Sequence, residues 1–153
     1  MRHIIALASL LVASLPSGVA LAGSGDLDAP GTAAGHTESP ANAQVYFIWP
    51  HDGAVINGGK FWVRMGLRNM GVAPKGTTVP HTGHHHLLID TGLPSMAEPI
   101  PNDRNHLHFG AGETEARIEL PPGTHTLQLL LGDTNHVPHK PPVMSKKITI
   151  TVR

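Results

Sequence analysis

An all-β fold, two antiparallel sheets of about seven short strands packed face to face, follows from three features of this sequence. Several stretches alternate apolar and polar residues with strict period two, the mark of a strand with one buried face. Turn formers separate these stretches at short intervals, with 17 glycines and 14 prolines in 153 residues. After residue 22 nothing repeats its apolar residues at the spacing an amphipathic helix needs.

Residues 1–22 read as a secretory signal peptide. Arg2 supplies the positive start, residues 4–15 form a short apolar run, Pro16 and Gly18 break it, and Ala20-Leu21-Ala22 is a small-x-small cleavage site. The run is too short to span a bilayer, and the chain has no cysteine to carry a lipid anchor. The expectation is a periplasmic or secreted bacterial protein with no membrane insertion after cleavage. Residues 23–43, rich in Gly, Ala, Ser, Thr and Pro, read as a flexible linker, and residues 44–153 as the β-sandwich domain.

Within the domain, residues 45–49 are aromatic and β-branched and stop at Pro50; His51-Asp52-Gly53 and Asn57-Gly58-Gly59 are turns. Over 60–68, Phe61, Val63, Met65 and Leu67 take one face, and Trp62, Arg64 and Arg68 the other. Residues 69–83 read as a long loop of the kind that is often functional. A central strand covers 84–90, an irregular connection 93–105, and a short strand 105–109 before the turn at Gly110 to Gly112. In 114–120, Ala116, Ile118 and Leu120 point inward. After Pro121-Pro122-Gly123, residues 124–131 put His125, Leu127, Leu129 and Leu131 on one face. A proline-rich loop over 132–143 leads to the last strand, 144–152, with Ile148, Ile150 and Val152 inward. This is the pattern of an immunoglobulin-like sandwich without the cysteine pair of antibody domains.

Composition narrows the function. Lys and Arg total 11 and Asp and Glu total 11, so the chain is formally neutral and loses one positive charge with Arg2. A near-neutral chain without a basic patch argues against nucleic acid and anionic membrane surfaces as partners. With no cysteine, packing alone must hold the fold and no thiolate can bind a metal.

Histidine is the anomaly, with 12 residues. His3 falls in the leader and His36 in the linker; the others lie between His51 and His139. In the usual sandwich order, the loops 69–83, 110–113 and 132–143 share one end. That end collects His81, His84, His108, Asp133, His136 and His139. On the central strand, His84 and His86 share a face with Asp90, while His85 joins Leu87 and Ile89 inward. His106 and His108 form a second H-x-H pair, and such a pair sets two imidazoles about 7 Å apart on one strand face. Both rings can then reach one ion. The candidate metal ligands are therefore His84, His86, His106, His108, His136, His139 and Asp133. Asp133 alternatively fixes a histidine tautomer from outside the ligand set, or caps a turn. His125 reads as a buried histidine bonded to backbone, and His51 as a turn residue.

Imidazoles with few carboxylates and no thiolate favour Cu(II) or Zn(II) over calcium or magnesium. The methionines form no cluster, which weakens a Cu(I) store. Asp133-x-x-His136-x-x-His139 sits among prolines and cannot be helical, and H-E-x-x-H and G-x-S-x-G are absent. Three functions stay open. The first is an exported metal-binding module for trafficking or buffering, copper ahead of zinc. The second is a sandwich that binds an envelope protein or ligand through outward Trp62, its histidines forming a structural network. The third is a metal-dependent hydrolase with an open coordination position; no catalytic residue is assigned.

Thr82-Gly83-His84-His85-His86-Leu87-Leu88-Ile89-Asp90, His108-Phe109-Gly110, Gly123-Thr124-His125-Thr126-Leu127-Gln128, Gly132-Asp133 and His136-x-x-His139 resemble the domain of unknown function 4399 family, small exported bacterial proteins. The resemblance spans about residues 46–152. One departure is Glu113 before Thr114-Glu115, where relatives often have Gln. The resemblance implies export to the periplasm and a single β domain; it supplies neither a reaction nor a ligand.

Overall fold

The computed structural model describes residues 36–153; the expected signal peptide, and the linker as far as residue 35, lie outside the described residues. Nine strands follow in order: β1 (Gln44–Trp49), β2 (Val55–Ile56), β3 (Lys60–Arg68), β4 (Gly71–Val72), β5 (Thr82–Ile89), β6 (His106–His108), β7 (Glu115–Glu119), β8 (Gly123–Gly132) and β9 (Ile148–Val152). They form two sheets, one ordered β1-β3-β7 and the other β2-β9-β8-β5-β4, with β6 also pairing to β5. The described residues form an all-β sandwich.

Each of the seven expected strands is present. The additions, β2 and β4, are two residues long and pair in parallel, β2 with β9 and β4 with β5, so the sandwich is antiparallel apart from these two short pairings. The last strand starts at Ile148 instead of residue 144, because Met144 makes only a lone bridge to Leu130.

The period-two faces meet as the alternation requires. Phe61, Val63 and Met65 from the small sheet pack on Leu87, Ile89, Leu127, Leu129, Leu131 and Ile150 from the large one. The large sheet is also covered on its other side, where Leu88 and Leu130 pack under Ile100 and Met96 of the 90–105 connection. Hence β5 and the second half of β8 are buried on both faces. Trp62 points away from this core and is 47% exposed.

The chain ahead of β1 belongs to the fold. The Ser39 amide donates to the Lys140 carbonyl and the Lys140 amide to Thr37, both at 3.1 Å. The Ser39 hydroxyl reaches the Pro141 carbonyl at 2.7 Å. The domain therefore extends ahead of its expected start at residue 44, and residues 36–40 lie along the 138–141 loop.

At the far end of β5, Asp90 turns the chain with a φ of 52°. Its carboxylate accepts the Thr126 amide at 2.7 Å and the His125 Nδ1 at 2.6 Å, while His125 Nε2 faces the Pro121 carbonyl at 2.9 Å. Burial works to lower the pKa of His125, but the Asp90 carboxylate and Pro121 carbonyl outweigh it and raise the value. A raised folded pKa stabilises the fold at pH below the unfolded value, near 6.5, and that stabilisation fades as pH rises through the folded value. Asp90→Asn is therefore expected to cost most stability at acid pH, and the urea-denaturation gap to the wild type to narrow towards alkaline pH. A gap constant with pH would mean that His125 carries no proton-linked stabilisation.

Candidate metal centre

The site is built on the outer face of the large sheet. Alternation along β5 sends His85, Leu87 and Ile89 into the sandwich and leaves His84, His86 and Leu88 on the opposite face. The β5–β6 register sets His108 across from His86 and His106 across from Leu88. The 73–81, 109–114 and 133–137 connections meet over this end: the Lys75 amide donates to Gly110 at 2.9 Å and the Gly76 amide to Thr134 at 3.2 Å. The 133–137 turn then brings in His136, which takes a left-handed φ of 65°.

Four imidazoles from these three segments converge. Donor nitrogens of His84, His86 and His108 all lie within 4.8 Å of one another. Nε2 of His84 and Nε2 of His86 are 3.1 Å apart, and those of His108 and His136 are 3.0 Å apart. Ring centroids within the group of four are separated by between 4.5 Å (His108–His136) and 6.1 Å (His86–His136). Metal–nitrogen bonds of about 2.0–2.1 Å in a tetrahedron place neighbouring donors roughly 3.3 Å apart. The two short separations are close to that edge length; His84, His86 and His108 form the mutually close donor set, and His136 joins it through His108.

Glycines leave the rings their room. A Cβ at Gly132 would lie 2.8 Å from His86 Nε2 and 3.4 Å from His84 Nε2, and one at Gly110 would lie 2.3 Å from His108 Cε1. At Gly83 it would meet His139 Nε2 at 2.6 Å and the Gly132 carbonyl at 2.8 Å. The sequence marked these positions only as loop or turn; a glycine beside or inside a histidine-bearing strand signals close approach.

The other expected ligands sit elsewhere. Asp133 accepts the Thr37 amide and hydroxyl on Oδ2 at 3.1 and 2.9 Å, and the Asn135 and Val137 amides on Oδ1 at 2.8 and 3.0 Å. A carboxylate has about four acceptor sites, so Asp133 is spent on shaping the turn that carries His136. His106 bonds through Nδ1 to Asp103 at 2.9 Å. His139 is buried behind Gly83 with Nδ1 3.2 Å from the Thr37 carbonyl and Nε2 unpartnered. His81 is exposed. His85 faces the Glu113 carbonyl at 3.2 Å from the core side.

Burial favours the neutral form of His84 and His86. Loss of solvent, followed by the neighbouring rings His108 and His136, pushes His84 down to about 4. Loss of solvent, followed by His84, His108 and His136, pushes His86 down to about 2. Burial also lowers His85 and His139, against their carbonyl partners. A neutral imidazole is the form that binds metal. Because the unfolded chain takes up protons near pH 6.5 that the folded one refuses, stability is intact above that value and falls below it. Between pH 7.5 and 5.5 the metal-free protein is expected to lose roughly 1.4 kcal/mol for each fully shifted ring. Urea denaturation at the two pH values measures this; equal midpoints would show that His84 and His86 titrate normally.

The group is reached from one side, past the half-buried His108 and His136. His86, His108 and His136 open on a pocket of about 190 Å³ whose remaining wall is Lys75, Pro99, Ile100 and Asn102. Larger pockets exist, one of about 540 Å³ beside Tyr46 and Arg68, but His84, His86, His108 and His136 do not line them.

The family described as Domain of unknown function (DUF4399) matches residues 63–153. The chain belongs to this family. The DUF4399 match begins within β3 and contains His84, His86, His108, His136, all three glycines and Asp133, while β1, β2 and the 36–40 segment precede it. No curated protein and no solved structure matches the chain.

Proposed function

We propose that this DUF4399 protein is an exported metal-binding module that holds one Cu(II) or Zn(II) ion on His84, His86, His108 and His136 and serves in periplasmic trafficking or buffering. The observation that carries this reading is the convergence of four imidazoles from β5, β6 and the 133–137 turn, with two donor pairs 3.0 and 3.1 Å apart. Burying polar rings works against folding unless they are used, and strongly shifted groups in a cleft are characteristic of functional sites. All-imidazole donors suit both ions, and the ordinary affinity order puts copper first. Export rests on the leader features of residues 1–22.

The same short separations suit N–H···N hydrogen bonds, so a paired histidine network describes the rings before metal arrives. The open pocket favours a catalytic reading, but its lining contains no carboxylate to act as base, which supports binding over hydrolysis. An envelope-partner reading rests on the outward Trp62 and Ile48, 47% and 50% exposed, and expects no tight metal. Metal analysis and Cu(II) titration of protein purified without a histidine tag separate these readings. The expected result is uptake of about one equivalent; absence of tight uptake ends the metal reading.

A further inference from the structure

Building on the metal reading above, we propose that the pocket over His86, His108 and His136 seats a small carboxylate or oxyanion that completes the coordination of the bound ion, with Lys75 as its counter-charge. Charge balance gives the first argument. Four neutral imidazoles leave both positive charges of a divalent ion uncompensated, and a partly buried charge needs a partner. Asp133, the acidic residue closest in sequence to His136, already has its acceptors filled by Thr37, Asn135 and Val137.

Lys75 gives the second. Its backbone is tied to the loop of His108 by the 2.9 Å bond to Gly110, and its neighbour Gly76 to the loop of His136. Its side chain lines the same pocket as the three rings, and its charge acts on His108. An ammonium beside a divalent ion is repelled unless an anion lies between them. Glu113 also acts on His108, but its carboxylate is held by the Ala111 amide at 2.9 Å and does not line the pocket. Asn102 adds an amide, while Pro99 and Ile100 give the pocket an apolar side.

Size supplies the third. A volume of about 190 Å³ is below the ≈300–1,000 Å³ typical of pockets for drug-sized ligands. The occupant is therefore a small acid or an inorganic oxyanion, not a peptide or sugar.

The test starts with tag-free protein loaded with one equivalent of Cu(II), checked by metal analysis and electron paramagnetic resonance. Failure to load sinks the metal reading before any anion is added. The loaded protein is then titrated with formate, azide and inorganic phosphate. Saturable changes in the Cu(II) spectrum are expected, tightest with formate if the natural occupant is a carboxylate and with phosphate if it is an oxyanion. Lys75→Met should weaken anion binding by roughly three- to tenfold with copper stoichiometry unchanged, and Lys75→Arg should restore most of it. A normally loaded protein whose spectrum responds to none of the three anions overturns the proposal, as does Lys75→Met binding them as tightly as the wild type.

Discussion

Alanine at both His84 and His108 is expected to abolish tight uptake of Cu(II) or Zn(II). The pair removes one donor from β5 and one from β6, leaving His86 and His136, whose centroids are the most separated of the group at 6.1 Å. Four-ligand zinc sites are worth roughly 10–16 kcal/mol, so losing half the donors costs on the order of 5 kcal/mol, between three and four orders of magnitude in affinity. The effect is readable as metal bound after dialysis. Folding is the necessary control, because removing a buried imidazole with a depressed pKa relieves acid destabilisation but opens a cavity. A variant that unfolds cooperatively without metal and still retains a full equivalent would show that the ion sits elsewhere.

The site lies on the outer face of the large sheet, beneath loops, and this decides what each face of β5 does. Leu87 and Ile89 hold the sandwich together while His84 and His86, just ahead of them on the other face, are presented to His136 of the 133–137 turn. A strand that is buried on both faces can fix donors with the rigidity of a core. The 36–40 segment contributes indirectly, through the Thr37 bonds to Asp133. The candidate ligands are thus set by two strands and by a turn anchored on a carboxylate.

Much of this was legible in the sequence, for identifiable reasons. Period-two alternation is long-range information written locally, so strands such as Lys60–Arg68 are readable, whereas β2 and β4 are too short to display any period. The run Leu129-Leu130-Leu131 was the one sign that β8 is covered on both sides, since an uninterrupted apolar run is what a doubly buried strand requires. Alternation could not separate His106 from His108, because they share a face; the β5–β6 register places His108 beside His86 and His106 beside Leu88. Nor could it choose between His136 and His139, which depends on the left-handed turn at His136 and the four bonds to Asp133. Residues 36–40 have a linker-like composition, yet their backbone bonds to the 138–141 loop order them without any apolar pattern.

Gly132→Ala gives the sharpest separation of site from fold. The new Cβ would fall 2.8 Å from His86 Nε2 and 3.1 Å from Cδ2, against a ring with no exposure. At Gly110 the contact is closer, but His108 is only partly buried and can swing towards the pocket. At Gly83 the obstacle includes the Gly132 backbone, so its substitution tests the strand pairing as much as the site. His86 lines the same pocket but is fully buried, so it must tilt against its neighbours or the strand must shift. Overpacking of this kind costs roughly 1–3 kcal/mol, and a ring displaced by a few tenths of an ångström no longer points its donor at the common centre. The expected outcome is a fold that still melts cooperatively and metal affinity lowered by about 10–100-fold, the scale of lost ligand positioning. Gly92→Ala, where an added Cβ meets nothing within 4 Å, should match the wild type in both measurements. Isothermal titration with Zn(II) on the two variants reads the difference; equal affinities would mean that the His84–His86 pair does not hold the ion.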